Sequence, residues 1–266
     1  MSFAPPFCPS PTPGVFLTAE WRSLVMVNFP VDPTTLAAHL PRGLHLDLWQ
    51  GQALMSMVGF RFLRTRVLGI AVPFHQDFEE VNLRFYVRRR MGEGWQRGVV
   101  FVREIVPKRA IALVARLAYN EPYRALPMRH RVPRASAGGQ FEFSWRIGGK
   151  WCELGAETVG ELNELAPGSV EEFIFEHYWG YTRQRDGGTV EYQVEHPPWR
   201  VWQTSDAWLK GDLAGLYGAE LQAALAQAPH SAFVAEGSPV LVRRGVGLHG
   251  TPSDALTGVP TSAARG

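Results

Sequence analysis

Apolar and polar residues alternate with a period of two over most of the chain. The alternation is clear in WRSLVMVNF (21–29), ALMSMVGFRF (53–62), EEVNLRFYV (79–87), GVVFVREI (98–105) and FEFSW (141–145). Such runs predict half-buried strands. Gly148-Gly149 sits between two of them in WRIGGKWCEL and predicts a tight hairpin. A second hairpin is expected in RQRDGGTVEYQVEH, turning near Asp186-Gly187-Gly188. Helical signals are fewer. Asp32 stands as a cap before Pro33 and TTLAAHL. Ser169 and Glu172 have capping-box spacing ahead of FIFEHY. RAIALVARLAY (109–119) and LAGLYGAELQAALAQ (213–227) carry helical spacing. Strands that outnumber helices and join by short turns predict an α+β chain, mostly antiparallel β with a few flanking helices.

The ends of the chain read differently. Residues 1–14 hold five prolines and predict a disordered arm. Residues 244–266, rich in Gly, Ser, Thr, Ala and Pro, predict a disordered tail. One domain is expected over residues 15–243, with Val25, Val27, Met55 and Met57 in its core. A chain of 266 residues buries enough surface to fold without covalent staples. Its two cysteines, Cys8 and Cys152, are too few for a disulfide framework or a four-cysteine zinc site.

Composition narrows the partners. A net charge of +2 gives no reason to expect nucleic acid. The Arg88-Arg89-Arg90 run reads as a solvated face, and Arg129-His130-Arg131 as a solvated loop. No window approaches the ~18 apolar residues of a membrane span. The N-terminus lacks the basic and apolar regions of a signal peptide. The expectations are a cytoplasmic protein with a small-molecule ligand, no nucleic acid and no membrane partner; homo-oligomers stay open.

Familiar motifs fail on context. GVGLHG (245–250) spells a dinucleotide fingerprint, but a Gly/Pro/Ser/Thr tail follows where a helix is required. His75, Asp77, Glu79 and Glu80 in FHQDFEE read as an acidic turn entering a strand. No metal and no cofactor are expected.

The candidate chemistry lies on EEVNLRFYV and on REIVPKRAIALVARLAYN (103–120). In the first, Glu80, Asn82, Arg84 and Tyr86 share one strand face, and Val81, Leu83, Phe85 and Val87 share the other. The polar face meets either solvent or a barrel interior, where a Glu80–Arg84 ion pair would suit a wet cavity. In the second, Pro107 suits a first helical turn, which leaves Lys108 and Arg109 near the positive end of the dipole. A neighbouring cation, the helix terminus and burial all disfavour an ammonium. Depressed lysines of this kind do Schiff-base chemistry, and an adjacent cation is the device acetoacetate decarboxylase uses. The alternative is that both cations are simply solvated. Tyr123 and His196 are further candidates for a ligand surface, each with a structural reading of its own in a turn or at a strand end.

Several runs resemble the YqjF-like family of uncharacterised proteins, in the acetoacetate decarboxylase-like superfamily. The resemblance rests on Trp21, VDPTTLAAHLPRGLHLDLWQGQALMSMVGF (31–60), FEEVNLRFYVRRR (78–90), GVVFVREIVPKRAIALVARLAYNEPYRALPM (98–128) and GYTRQRDGGTVEYQVEHPPWRVW (180–202). It implies a partly closed, cone-like β-barrel with an internal small-molecule pocket. Acetoacetate decarboxylase itself is similar only locally, through Arg103-Glu104 followed by Pro107-Lys108-Arg109. Its spacer is two residues longer, and it has a second lysine where this chain has Arg109. The resemblance implies Lys108 as the catalytic candidate, with Glu80, Asn82, Arg84, Arg103, Glu104, Arg109, Tyr123 and His196 around a substrate. The implied function is binding of a small carbonyl or carboxylate compound, with Schiff-base chemistry as an option. A non-catalytic ligand-binding or structural module with a vestigial pocket is the alternative.

Overall fold

The computed structural model describes residues 14–113, 120–133 and 138–248. Its period-two runs form long strands: β1 (Val15–Pro30), β3 (Leu54–Val67), β4 (Phe78–Met91) and β5 (Gly94–Val106). Between and after them lie β2 (His45–Leu46), β6 (Tyr123–Ala125), β7 (Met128–Arg131), β8 (Gln140–Ile147) and β9 (Lys150–Asn163). The last group is β10 (Trp179–Arg183), β11 (Thr189–Glu195), β12 (Val201–Lys210), β13 (Ser231–Arg243) and β14 (Val246–Leu248). The helices described to both ends are short: α1 (Pro33–Ala37), α3 (Val170–Phe175), α4 (Ala214–Tyr217) and α5 (Ala219–Leu225); α2 is described over residues 109–113.

Seven strands close a ring in the order β13-β1-β3-β4-β5-β10-β11. Closure is made by β11 on β13, where Val194 pairs with Val242 and Glu195 with Leu241. All neighbours in the ring are antiparallel except β5 and β10. The remaining path β12-β9-β8-β7 leaves the ring from β13 and folds back over its outer face. The α+β, mostly antiparallel and partly closed architecture is the expected one.

Alternation divides the apolar residues between two cores. Val25, Val27, Met55, Met57, Val81, Leu83 and Phe85 face outward, against Phe141, Phe143, Trp145 and Leu154 of the β8–β9 hairpin and against α4 and α5. Leu24, Met26, Val58, Phe60, Phe62, Phe78 and Tyr86 belong to the inner cluster. The expected core residues Val25, Val27, Met55 and Met57 are all buried.

Local signals explain the elements. Asp32 accepts the Thr34 amide at 2.8 Å and caps α1. Ser169 accepts the Glu172 amide at 3.1 Å at the start of α3, while the Glu172 carboxylate turns to the Gly168 amide. The hairpins turn at Gly148-Gly149 and at Asp186-Gly187-Gly188, as expected. The long helical spacing of 213–227 is split into α4 and α5 where Gly218 adopts φ +85°, and Leu216, Tyr217, Leu221 and Leu225 of the two helices still pack on one core.

The tail boundary expected at 244 shifts, because Val246–Leu248 pairs with Thr189–Glu191 as an edge strand. Those residues are the second to fourth of GVGLHG, so half of that motif lies in a strand. The arm (1–13), the tail from 249, Cys8 and the second half of the 109–119 helix (114–119) lie outside the described residues. Arg88 and Arg90 lie over Trp95, and Arg89 pairs with Glu191 at 2.6 Å, so the arginine run covers a surface edge.

Candidate active site: a carboxyl cluster inside the strand ring

A cavity of about 200 Å³ opens inside the ring. Its walls are apolar, from Leu24, Val58, Phe60, Phe62, Phe78 and Phe101. One end is polar, and is built by Glu80, Asn82, Arg84, Glu104, Glu121, Tyr123 and Tyr192. Strand alternation on β4 brings Glu80, Asn82 and Arg84 to this inner face. Tyr86, expected with them, packs in the inner core, and its hydroxyl is hydrogen-bonded to Ser56.

Glu104 reaches the cavity through a bulge. Arg84 pairs with Phe101 while Leu83 pairs with Arg103, so one residue of β5, Val102, is extra. The bulge lets Phe101 and Glu104, three apart, both face inward. Arg103 is thereby turned to the opposite face, where its Nε donates to the Leu216 carbonyl at 3.1 Å. The paired reading of Arg103-Glu104 as one site is corrected on this ground.

Cross-strand neighbours then assemble the cluster. Glu104 pairs with Asn82 on one side and with Tyr123 on the other. One Glu80 oxygen accepts from the Asn82 amide at 2.9 Å, and the other accepts from the Tyr123 hydroxyl at 2.8 Å. Glu121 accepts from Thr182 at 2.5 Å and from Tyr192 at 2.8 Å through the same oxygen. Tyr192 can lie across β10 because its neighbour there is Gly180. A Cβ at that position would stand 2.2 Å from the ring. The expected Glu80–Arg84 ion pair does not form among the described residues. Four residues along a strand separate side chains by about 13 Å, and Asn82 with Tyr123 already occupies both Glu80 oxygens.

Burial dominates the titration of these groups. Removal from water pushes Glu80 up to about 7, against the hydrogen bonds from Asn82 and Tyr123. Burial likewise raises Glu121 to about 7. Glu104 is pushed well above the ordinary range by burial and by the facing charges of Glu121 and Glu80. A carboxyl facing two others in an apolar wall keeps its proton, and one oxygen each of Glu104 and Glu121 has no hydrogen-bond partner in the protein. The cluster therefore offers a protonated acid beside groups poised to take or release a proton near neutrality. Asn82 Oδ1 and Arg84 Nε have no partner inside the protein. No group of three or more His, Cys, Asp or Glu among the described residues is arranged to hold a metal. His75, Asp77, Glu79 and Glu80 diverge: Asp77 accepts the Arg64 amide, Glu79 faces His130, and only His75 and Glu80 line the cavity.

The sequence itself places the chain among known proteins. The model of DUF2071, a family of uncharacterized conserved proteins, matches residues 18–239. The chain belongs to the DUF2071 family. It is 34% identical over 192 residues to the uncharacterized protein YqjF of Bacillus subtilis, covering 70% of this chain and 75% of that one. Among solved structures it is similar in fold to acetoacetate decarboxylase from Legionella pneumophila, with a TM-score of 0.64 at 12% identity over 93% of this chain and 92% of that one. It is also similar to the enduracididine biosynthesis enzyme MppR complexed with pyruvate, with a TM-score of 0.56, 16% identity and 90% of both chains covered. An acetoacetate decarboxylase-like enzyme from Sphingomonas wittichii gives 0.58 at 14% identity, over 93% of this chain and 99% of that one. The fold is thus acetoacetate decarboxylase-like, in a member of DUF2071.

Within this DUF2071 chain the expected site residues separate. Glu80, Asn82, Arg84, Glu104 and Tyr123 meet at the cavity. Lys108 and Arg109 do not line it. Lys108 is half-buried at the start of α2, where its carbonyl accepts the Ala112 amide, and Arg109 is exposed. Among the described residues of α2, Ala110 and Ile111 border the cavity. His196 stacks on Trp199 at 4.1 Å and bonds the Pro197 carbonyl, outside the cavity lining. Arg129 and His130 face Glu153 and Glu79 at the surface. Sequence reasoning missed Glu121, Thr182 and Tyr192. Glu121 carried a weak signal, lying between Asn120, which takes φ +57°, and Pro122. A residue before proline is held extended, which makes it a poor choice for a freely solvated turn.

No helix among the described residues is long and apolar enough to cross a membrane.

Proposed function

We propose that this protein binds a small carbonyl or carboxylic compound with an apolar body inside the strand ring. The body would lie along Phe60, Phe62, Phe78 and Phe101, and the oxygen-bearing head would meet Arg84, Tyr123 and the glutamates. The observation that carries this reading is the convergence of Glu80, Glu104 and Glu121 on one apolar-walled cavity. Ligand pockets commonly combine an apolar lining with a few convergent polar groups, and the fold neighbour MppR has been seen with pyruvate.

The chemistry such a site favours is proton transfer. Glu104 and Tyr123 can donate to a carbonyl oxygen, and Glu80 or Glu121 can take a proton from an adjacent carbon. Imine formation is a poorer fit, since no lysine is among the cavity-lining residues. Lys108 is better regarded as a cation at the cavity rim.

The test uses a panel of 2-oxo and 3-oxo acids and short ketones, read by calorimetry and by thermal shift. Binding should be lost in Ala110→Trp, which plugs the mouth from an exposed position. Exchange of the carbon-bound proton for deuterium, followed by NMR, should occur with wild type and drop in Glu80→Gln. Borohydride treatment should leave Lys108 unlabelled. Absence of binding by every compound, or an adduct on Lys108, would overturn the reading.

A further inference from the structure

The mouth of the cavity carries features that a ligand arriving from water does not require. Of the cavity-lining residues, Val72 and Ala110 are solvent-exposed, so the opening lies between the β3–β4 connection and α2. That connection, residues 68–77, presents Leu68, Ile70, Val72 and Phe74 to solvent; Ile70 is 67% exposed and Phe74 is 90% exposed. Leu113 on α2 is also exposed. Isolated exposed apolar residues are ordinary, but a group of five around one opening marks an interaction surface.

Charge decides among the occupants. Residues 65–76 and 105–120 contain no aspartate or glutamate; the one acid of the connection, Asp77 at its far end, accepts the Arg64 amide at 2.8 Å. The two stretches do contain Arg66, which is exposed and hydrogen-bonds the Gly69 carbonyl at 3.4 Å, and Lys108 and Arg109 at the start of α2. Arg64 also lies nearby, although it is paired with Glu20 at 2.6 Å. A two-fold dimer through this surface would set the same cations against each other. An anionic lipid surface would meet both sets of residues, since phenylalanine, leucine and isoleucine tips with flanking lysine and arginine are the pattern of interfacial anchoring. The apolar tips are also continuous with the apolar wall inside, because Val67, Val72 and Ile111 line the cavity.

We propose that the rim formed by residues 68–74 and α2 docks on an anionic lipid bilayer, so that an apolar-bodied ligand passes from the membrane into the cavity. This departs from the expectation of no membrane partner, which rested on the lack of a spanning segment and says nothing of peripheral docking. It also explains the Lys108-Arg109 pair at a helix start, where anionic headgroups would offset their unfavourable position. The proposal rests on the cavity as a ligand site but not on the chemistry at its base.

Flotation of the full chain with phosphatidylcholine vesicles, and with vesicles of phosphatidylcholine and phosphatidylglycerol in equal parts, tests it. The protein should float with the anionic vesicles and much less with the neutral ones. Phe74→Asp with Ile70→Asp, both at exposed positions, should weaken partitioning roughly tenfold or more. Arg66→Glu and Arg109→Glu should each weaken it by about fivefold or more, and only on anionic vesicles. The tip variants should still bind a water-soluble ligand in the cavity, which separates failure of this proposal from failure of the binding function. No flotation of wild type, or equal flotation of the tip variants, would overturn it. So would a wild-type dimer in sedimentation equilibrium that Phe74→Asp dissolves, since the rim would then be an interface between copies.

Discussion

The two faces of β4 are made from alternate residues of one strand and do opposite things. Val81, Leu83, Phe85 and Val87 point outward into a closed core, each with no exposed surface. Glu80, Asn82 and Arg84 point inward and border empty space. The outward face is covered by the β8–β9 hairpin so closely that a Cβ on Gly59 would stand 2.7 Å from the Phe143 ring. On the inward face Tyr86 meets the Phe173 ring of α3, while Glu80, Asn82 and Arg84 border the cavity that the closed ring leaves inside it. A packed core stabilises the fold, whereas acids buried along a cavity wall cost stability, and under the proposed function that cavity is the room for a ligand.

The comparison breaks most visibly under truncation. Phe143→Ala, on the packed face, should lower unfolding free energy by about 3–5 kcal/mol in urea titration. Phe62→Ala should cost clearly less, because its ring already borders a cavity and loses fewer neighbours. Equal losses would mean that the inner face is as closely packed as the outer.

Next in size is the pH dependence that the carboxyl cluster imposes. Glu80 is raised from an ordinary 4.5 to about 7 by burial. A carboxyl raised in the folded state binds its proton more tightly there than in the unfolded chain. Its favourable contribution is therefore full below about 4.5 and is lost as pH rises through about 7. At roughly 1.4 kcal/mol per unit, Glu80→Gln should flatten the stability profile between pH 5 and 8 by about 2–3 kcal/mol. An unchanged slope in Glu80→Gln would mean that burial does not raise this carboxyl.

A smaller effect sharpens the geometry of the cluster. Gly180→Ala would push the Tyr192 ring off its 2.8 Å bond to Glu121 and should cost about 1–3 kcal/mol by crowding. It should also weaken ligand binding, whereas Gly59→Ala, a clash of similar kind on the packed face, should destabilise without that loss. The smallest effect belongs to the rim. Phe74→Ala should shift stability by less than about 0.5 kcal/mol, because the side chain is almost wholly in solvent.

The alternation of EEVNLRFYV makes the two faces of β4 legible from the order of its residues, and the family resemblance tells which face borders a pocket. Strands, hairpin turns and the Asp32 cap are legible for the same reason: each is a local pattern. The rest of the site depends on long-range pairing. No local pattern shows that β5 bulges at Val102, so the sequence neighbours Arg103 and Glu104 read as partners although they face opposite ways. Glu121 and Tyr192 meet only because β10 and β11 close the ring beside β5 and Gly180 leaves room. Lys108 stands out through its neighbours in sequence, yet the helix it begins turns Ala110 and Ile111 toward the cavity instead.

Three glutamates share the inside of one apolar-walled cavity, where Glu104 keeps its proton at neutral pH and Glu80 and Glu121 titrate near it. Titration of carbon-13-labelled glutamate carboxyls by NMR, in wild type and in Glu80→Gln, Glu104→Gln and Glu121→Gln, measures this directly. Two resonances should titrate near pH 7, a third should stay protonated well above the ordinary carboxylate range, and each should vanish in its own variant. Titration of every glutamate at ordinary carboxylate values would contradict the account.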